Sequence, residues 1–286
     1  MLPYGRVIQH TIQSQPVRHT MTITLALSAV FFYLSGTTYH YLLFQNRITP
    51  RPFLVFLLGI LAILCHGALN FHLVVRAEGI DFNFFKSLST ISWLMVVIST
   101  IANIKKPLSS WLLVTCPIAV LSLIALLVFN TGDWHATTSQ GGLIVHILFS
   151  ITAYSIFTLA AVQACLLYLQ NKSLRTNYNS LLVKNLPPLQ TMESILFEML
   201  YSGAALLTIA IIIGFVFVED LFAQKLVHKT VFSLISLVVF TTLIIGHKIS
   251  GWRGATASRW TLTGSVLLMI GYFGSKAVIE LILQPG

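Results

Sequence analysis

Eight long apolar runs, separated by short polar breaks, leave this chain few ways to fold. They cover roughly residues 21–43, 52–76, 87–104, 109–129, 142–170, 194–217, 230–248 and 260–283. A helix needs about 20 predominantly apolar residues to cross a bilayer core, and each run approaches that length. The breaks carry turn and helix-ending residues: Asn46 to Pro52, Lys105-Lys106-Pro107, Asn130 to Asp133, Pro187-Pro188 and Ser250 to Gly254. The longest connection, 171–193, is too short to hold a soluble domain. In hydrocarbon, every backbone N–H and C=O must be bonded within the protein, and no strand-like alternation is present, so helices are the only plausible spans. The expected fold is all-α: a polytopic bundle of about eight transmembrane helices, forming one membrane domain over residues 21–286.

Composition closes off the alternatives. The chain is 56% hydrophobic and 9% charged. Soluble domains average about 45–50% apolar and about 25% charged, which excludes an ordinary soluble enzyme and also a disordered chain. A net charge of +9 would point to nucleic acid in a soluble protein; in a membrane protein it asks on which side the cations lie. Connections after the odd-numbered runs hold ten basic residues: Arg47, Arg51, Lys105, Lys106, Lys172, Arg175, Lys184, Lys248, Arg253 and Arg259. The other side holds seven, two of them (Arg6 and Arg18) ahead of the first run. By the positive-inside rule both termini face outward and the odd-numbered connections are cytoplasmic, as expected of a multi-pass membrane protein. Residues 1–20 are polar, broken by Pro3 and Pro16, and lack a signal peptide's apolar core. They are expected to be a disordered extension, with Met21 as the true start. Cys65, Cys116 and Cys165 lie inside apolar runs without metal or disulfide spacing and read as small hydrophobes.

Ionisable groups inside spans are costly, so the histidines are the candidate functional residues. At 1.5 Å per residue, His146 lies about 8 Å below the outer end of the fifth span. His66 is near mid-membrane in the second, and His247 is at the inner end of the seventh. His40 shares the depth of His247; His72, His135 and His228 lie toward the outer side. Haem iron takes axial imidazoles from opposite sides of one ring, so a pair must match in depth. His146 with an outer partner, or His247 with His40, meets this better than His66 with His247. Each histidine also has a plainer role open to it, as an interfacial or hydrogen-bonded structural residue.

No zincin, nucleophile-elbow, phosphate-loop or dinucleotide motif occurs, and no enzyme activity is expected. Glu193 and Glu198 read as solvated or lysine-paired residues. The Glu219-Asp220 pair near Lys225, His228 and Lys229 forms an outer polar cluster able to hold carboxylates through lysine. Trp111, Trp134, Trp252 and Trp260 fall near expected interfaces and Trp93 lies inside the third span; all five read as anchors.

Three stretches carry a family resemblance. His247 followed by GWRG at Gly251 to Gly254, the run GGLIVHILFSITAYSIFTLAAVQACLLYL containing His146, and LPPLQTMESILF before IIIGFVF together resemble the cytochrome c assembly protein family, of the CcsA, CcmC and HemX type. The likeness covers about 141–283. The first four runs, with CHGAL around His66, are most similar to the YpjD-like inner-membrane branch. The resemblance implies a haem-handling membrane protein, with His146 as an outer histidine, His247 as the membrane-embedded one, and Lys229 as the lysine after the tryptophan-rich segment. Membrane lipid, haem and other cytochrome c maturation proteins are the implied partners.

Two family features are missing. Where the resemblance implies a tryptophan-rich WGxxWxWD loop, the chain reads VEDLFAQKLVHKTV. The second outer histidine is absent from GYFGSKAVIELILQPG. The expected function is therefore accessory: haem binding in cytochrome c biogenesis or haem homeostasis, with His146, His247 and His66 as cofactor residues and His146 and His247 as ligands of the haem iron. A permease component for a small metabolite, or a non-enzymatic membrane scaffold, remain the competing readings.

Overall fold

A computed structural model describes residues 4–76, 79–105, 109–129, 141–176, 180–217 and 224–274, with side chains from Thr20 onward in the first helix and from Lys229 onward in the eighth. The helices are α1 (Tyr4–Phe44), α2 (Pro52–Val74), α3 (Phe84–Lys105), α4 (Ser109–Phe129), α5 (Gly141–Thr176), α6 (Leu181–Asn185), α7 (Leu189–Phe217), α8 (Gln224–Ser250) and α9 (Gly254–Met269). A π-helical turn, Ile270–Gly274, continues α9, and a two-residue antiparallel pair, β1 (Val75–Arg76) with β2 (Gly79–Ile80), joins α2 to α3. Helix boundaries follow the sequence punctuation. Pro52 opens α2, where its missing N–H is harmless. Asn46 (φ 56°), Gly251 (φ 66°) and Gly254 (φ 54°) take the left-handed conformations that turn α1 into α2 and α8 into α9.

The fold is the expected all-α membrane bundle. Seven of the described helices are long and apolar enough to cross a bilayer, the first over Thr20–Phe44. The eighth expected span corresponds to α9 and its π turn; residues 275–283 lie outside the described residues. Successive long helices alternate in direction and leave two faces. One, here the basic face, holds the ends of α1, α5 and α8, the starts of α7 and α9, and the short α6. It is tied together by Asn46 Nδ2 donating to Asn185 Oδ1 (3.2 Å) and Asn185 Nδ2 donating to the Phe44 carbonyl (2.7 Å). The opposite face holds the starts of α3, α5 and α8 and the ends of α4, α7 and α9, with Phe85 stacked on Phe129.

Packing divides the bundle in two. Helices α1 to α4 enclose one core, including Ala26, Tyr33, Leu69, Val96 and Leu123. Helices α5, α7, α8 and α9 enclose a second, around Phe157, Leu196, Leu200 and Phe240, with α3 packed against α5 to join them. Lipid removes the hydrophobic drive for helix association, so close packing and hydrogen bonds must hold the helices. The interfaces are accordingly rich in buried serine. Ser92 and Ser122 hydroxyls meet at 2.6 Å between α3 and α4, and Ser265 donates from α9 to the Phe157 carbonyl of α5 (3.2 Å).

A close aromatic stack lies at the centre of the second core. Phe157 and Phe240 stack with centroids 3.9 Å apart and planes 6° from parallel. Each ring's outer edge or face meets a glycine: a Cβ on Gly203 would lie 3.0 Å from Phe157, and one on Gly264 2.6 Å from Phe240. Two glycines thus let α7 and α9 close on a ring pair from α5 and α8. Gly264→Ala is expected to lower stability by about 1–3 kcal/mol through overpacking. Gly203→Ala should cost less, and thermal unfolding in detergent reads the order.

Candidate functional site

The three sequence-selected histidines occupy three different settings. His146 is on the second turn of α5, at the face opposite the basic one, and is partly buried. Its Nδ1 donates to the Ala210 carbonyl of α7 at 2.7 Å. Its Nε2 has only a long contact, 3.5 Å, with Ser150 Oγ. Gly214 makes room for the ring: a Cβ there would sit 2.9 Å from His146 Cε1. His247 is in the last turn of α8, at the basic face. Its Nδ1 donates to the Trp252 carbonyl at 2.9 Å, and its ring stacks on Phe197 with centroids 3.6 Å apart. No described hydrogen bond engages its Nε2.

These two imidazoles share one arrangement. Each is fixed through Nδ1–H to a main-chain carbonyl, leaving Nε2 as the nitrogen with a lone pair. Metal-ligating histidines are commonly held this way, because the second bond sets tautomer and ring direction. They do not serve one iron together. Gly214 and Phe197 both lie on α7, and from Phe197 to Gly214 that helix rises about 25 Å. His247 and His40 each lie within a turn or so of a helix end at the basic face, but α1 packs on α2 and α4, whereas α8 packs on α7 and α9.

His66 differs. It is fully buried, with Nδ1 3.0 Å from Tyr33 Oη and Nε2 2.8 Å from Ser89 Oγ; Ser89 in turn donates to Asn70 Oδ1 (2.8 Å). With both nitrogens hydrogen-bonded, this imidazole presents no open lone pair to a cofactor. Sequence inspection singled out the histidine but not Tyr33, Ser89 or Asn70, because none is ionic and their spans read as apolar throughout. Glu193 was expected to be solvated or lysine-paired; its Oε1 instead accepts the Gly254 N–H (2.7 Å) and fixes the start of α9 beside His247. Trp111 was expected at an interface and is buried, its Nε1 donating to Gln163 Oε1 (2.7 Å). Lys229 lies at the His146 face, 4.8 Å over the Tyr272 ring. His135, Trp134, Glu219 and Asp220 lie outside the described residues, as do the side chains of Lys225 and His228.

The family model described as Cytochrome C assembly protein matches residues 54–283. The chain belongs to the cytochrome c assembly protein family. "Inner membrane protein YpjD" of Escherichia coli K12 is 29% identical over 234 residues, covering 78% of this chain and 86% of that protein. An Azospirillum brasilense protein, "Uncharacterized 28.8 kDa protein in nifR3-like 5'region", is 30% identical over 141 residues, 49% of this chain and 52% of its own. "Protein HemX" of Brevibacillus brevis is 24% identical over 134 residues, 46% of this chain and 49% of its own. No solved structure matches. Membership and the seven apolar helices make this a multi-pass inner-membrane protein. The matched region takes in α3 to α9 whole and nearly all of α2, so this cytochrome c assembly protein carries His66, His146 and His247 all within its family-like part.

Replacing Gly214 by alanine is expected to displace the His146 ring and break its bond to Ala210, at about 1–3 kcal/mol. In a His146→Ala background the same change should cost far less, because the atoms it collides with are gone. A double-mutant cycle of thermal unfolding measures the coupling, and additive effects would contradict this placement of the ring.

Proposed function

We propose that this member of the family is a haem-binding accessory protein in cytochrome c biogenesis or haem homeostasis, in which His146 and His247 would each hold a haem iron at a separate site. The observation that carries the reading is the shared geometry of the two imidazoles: Nδ1–H held by a backbone carbonyl, Nε2 left as the ligating nitrogen. Haem, when bound, supplies an iron that accepts such a nitrogen. The protein's own part is positioning. Ala210 and Trp252 set the two ring tautomers, Gly214 gives His146 its space, and Phe197 fixes the plane of His247. Lys229, on the His146 face, is suited to meet a haem carboxylate.

Cations cluster at the end of the bundle that holds His247, and the positive-inside rule makes that end cytoplasmic. His146 then faces outward, toward the compartment where the family is expected to deliver haem. His66 has no ligating role in this account. No bond-making step is assigned to the chain, which acts as a binding protein among lipid, haem and other maturation proteins.

Protein purified from haem-replete cells is expected to show a Soret band. His146→Gly should weaken it, and added imidazole should restore it by replacing the missing ring. Absence of a Soret band in wild type, with the protein folded, would sink the reading.

A further inference from the structure

The helices α1 to α4 hold a second set of polar groups that haem ligation does not use. Tyr33, His66, Ser89 and Asn70 form one continuous chain across α1, α2 and α3, each residue at most 6% exposed. Ser89 donates to Asn70, so it accepts from His66 Nε2–H; His66 Nδ1 then accepts from Tyr33 O–H. Every donor in the chain points the same way, away from the basic face. Asn70 lies about 6 Å from the far end of α2, and His66 about 12 Å from it.

Toward the basic face the chain stops at Tyr33. One turn on, Thr37 turns its hydroxyl back to the Tyr33 carbonyl (2.8 Å), and Tyr39 Oη accepts the Arg51 N–H (2.7 Å). The next group of α1 able to carry a proton on that side is His40, two turns on and about 6 Å from the helix end. His40 is 5% exposed, and its Nδ1 has no hydrogen-bond partner among the described residues. Tyr33 and His40 line the same crevice, about 10 Å apart along the helix. Between them the walls are mostly apolar, including Phe32, Leu58, Val96 and Leu112, with Cys116 near Tyr33 and Tyr39 beside His40, and Gly36 borders open space. Polar groups therefore reach nearly from one face to the other, broken by one largely apolar gap. Apolar cavities stay dry, and a dry constriction closes a path that wetting opens.

We propose that the α1–α4 unit is a gated proton path, with Tyr33, His66 and Ser89 as the relay, His40 as the entry group and the crevice as the gate. A proton arriving from His40 through water in the wetted gap binds the Tyr33 oxygen. Tyr33 passes its own proton to His66 Nδ1, and His66 releases its Nε2 proton to Ser89. Ser89 gives its hydroxyl proton to Asn70 Oδ1 while Asn70 releases one from Nδ2 to the far side, leaving the amide as its imidic acid until it turns over, so one proton enters and one leaves. Reorientation of the groups resets the chain. A relay of this type suits an unexplained ionisable residue at membrane depth. Other titratable groups nearby are Cys65 and Cys116, which face Tyr33 from α2 and α4; Lys86 of α3 is engaged with Asp81. The proposal does not depend on haem binding, since none of these residues touches His146 or His247.

The test uses the full chain in liposomes loaded with a pH-sensitive dye, with proton entry driven by a potassium diffusion potential. Wild type should pass protons faster than protein-free liposomes, and Tyr33→Phe, which keeps the ring and removes the link, should fall to the protein-free rate. Gly36→Ser places a hydroxyl in open space inside the gap and should raise the rate several-fold. Combining it with Tyr33→Phe should abolish the gain. Equal rates for wild type, Tyr33→Phe and Gly36→Ser, with all three folded and inserted, would overturn the proposal.

Discussion

A polar group left without a partner in hydrocarbon costs several kcal/mol, and that penalty organises this protein. It confines the backbone to helices and moves most charges to the two faces. It also favours a partner for each polar side chain kept inside, with His40 Nδ1, Thr100, Thr115 and Ser258 as exceptions among the described residues. The serines at the helix interfaces meet it by bonding to carbonyls one turn back or to each other across helices. His66 meets it with two partners. His247 meets it at one nitrogen, and His146 at one with only a 3.5 Å contact to Ser150 at the other; the proposed haem ligation rests on that asymmetry.

The same constraint explains why the bundle's two halves differ in character. Around Phe157 and Phe240, α5, α7, α8 and α9 close on aromatic rings and glycines, giving a rigid frame that carries His146 and His247 at its two ends. The α1–α4 half is threaded by a hydrogen-bonded chain and contains a crevice. Its largest contact with the other half is α3 against α5, where Ser155 also reaches the Ile91 carbonyl (3.3 Å), and Trp111 to Gln163 and Tyr272 to Ser87 add further links. Substitutions that disturb the proposed haem ligation are therefore expected to leave the proposed proton path intact, and the reverse.

The apolar runs made the fold legible, because length and hydropathy are all a bilayer demands of a span. The start of α2 at Pro52 was readable to the residue. Site roles were less legible. Depth along a helix follows from residue number, so the separation of His146 from His247 was nearly visible in the sequence. Rotation about the helix axis does not follow, and rotation decides which nitrogen meets which carbonyl. Trp111 shows the limit: placed by depth at an interface, it turns inward to Gln163. Glu193 shows it again, since its partner is a backbone N–H sixty-one residues away. The absent tryptophan-rich loop and second outer histidine pointed to a divergent member, and the separate anchoring of His146 and His247 suits that reading.

If haem is held as proposed, His146 and His247 ligate independently and His66 does not. Haem per protein, measured by pyridine haemochrome on purified wild type, the three single alanine variants and the His146→Ala, His247→Ala double variant, decides the matter. Haem content should fall partly in His146→Ala and partly in His247→Ala, and fully in the double variant, while His66→Ala keeps the wild-type content if folded. Loss of haem in His66→Ala alone, with His146→Ala and His247→Ala unchanged, would contradict the account.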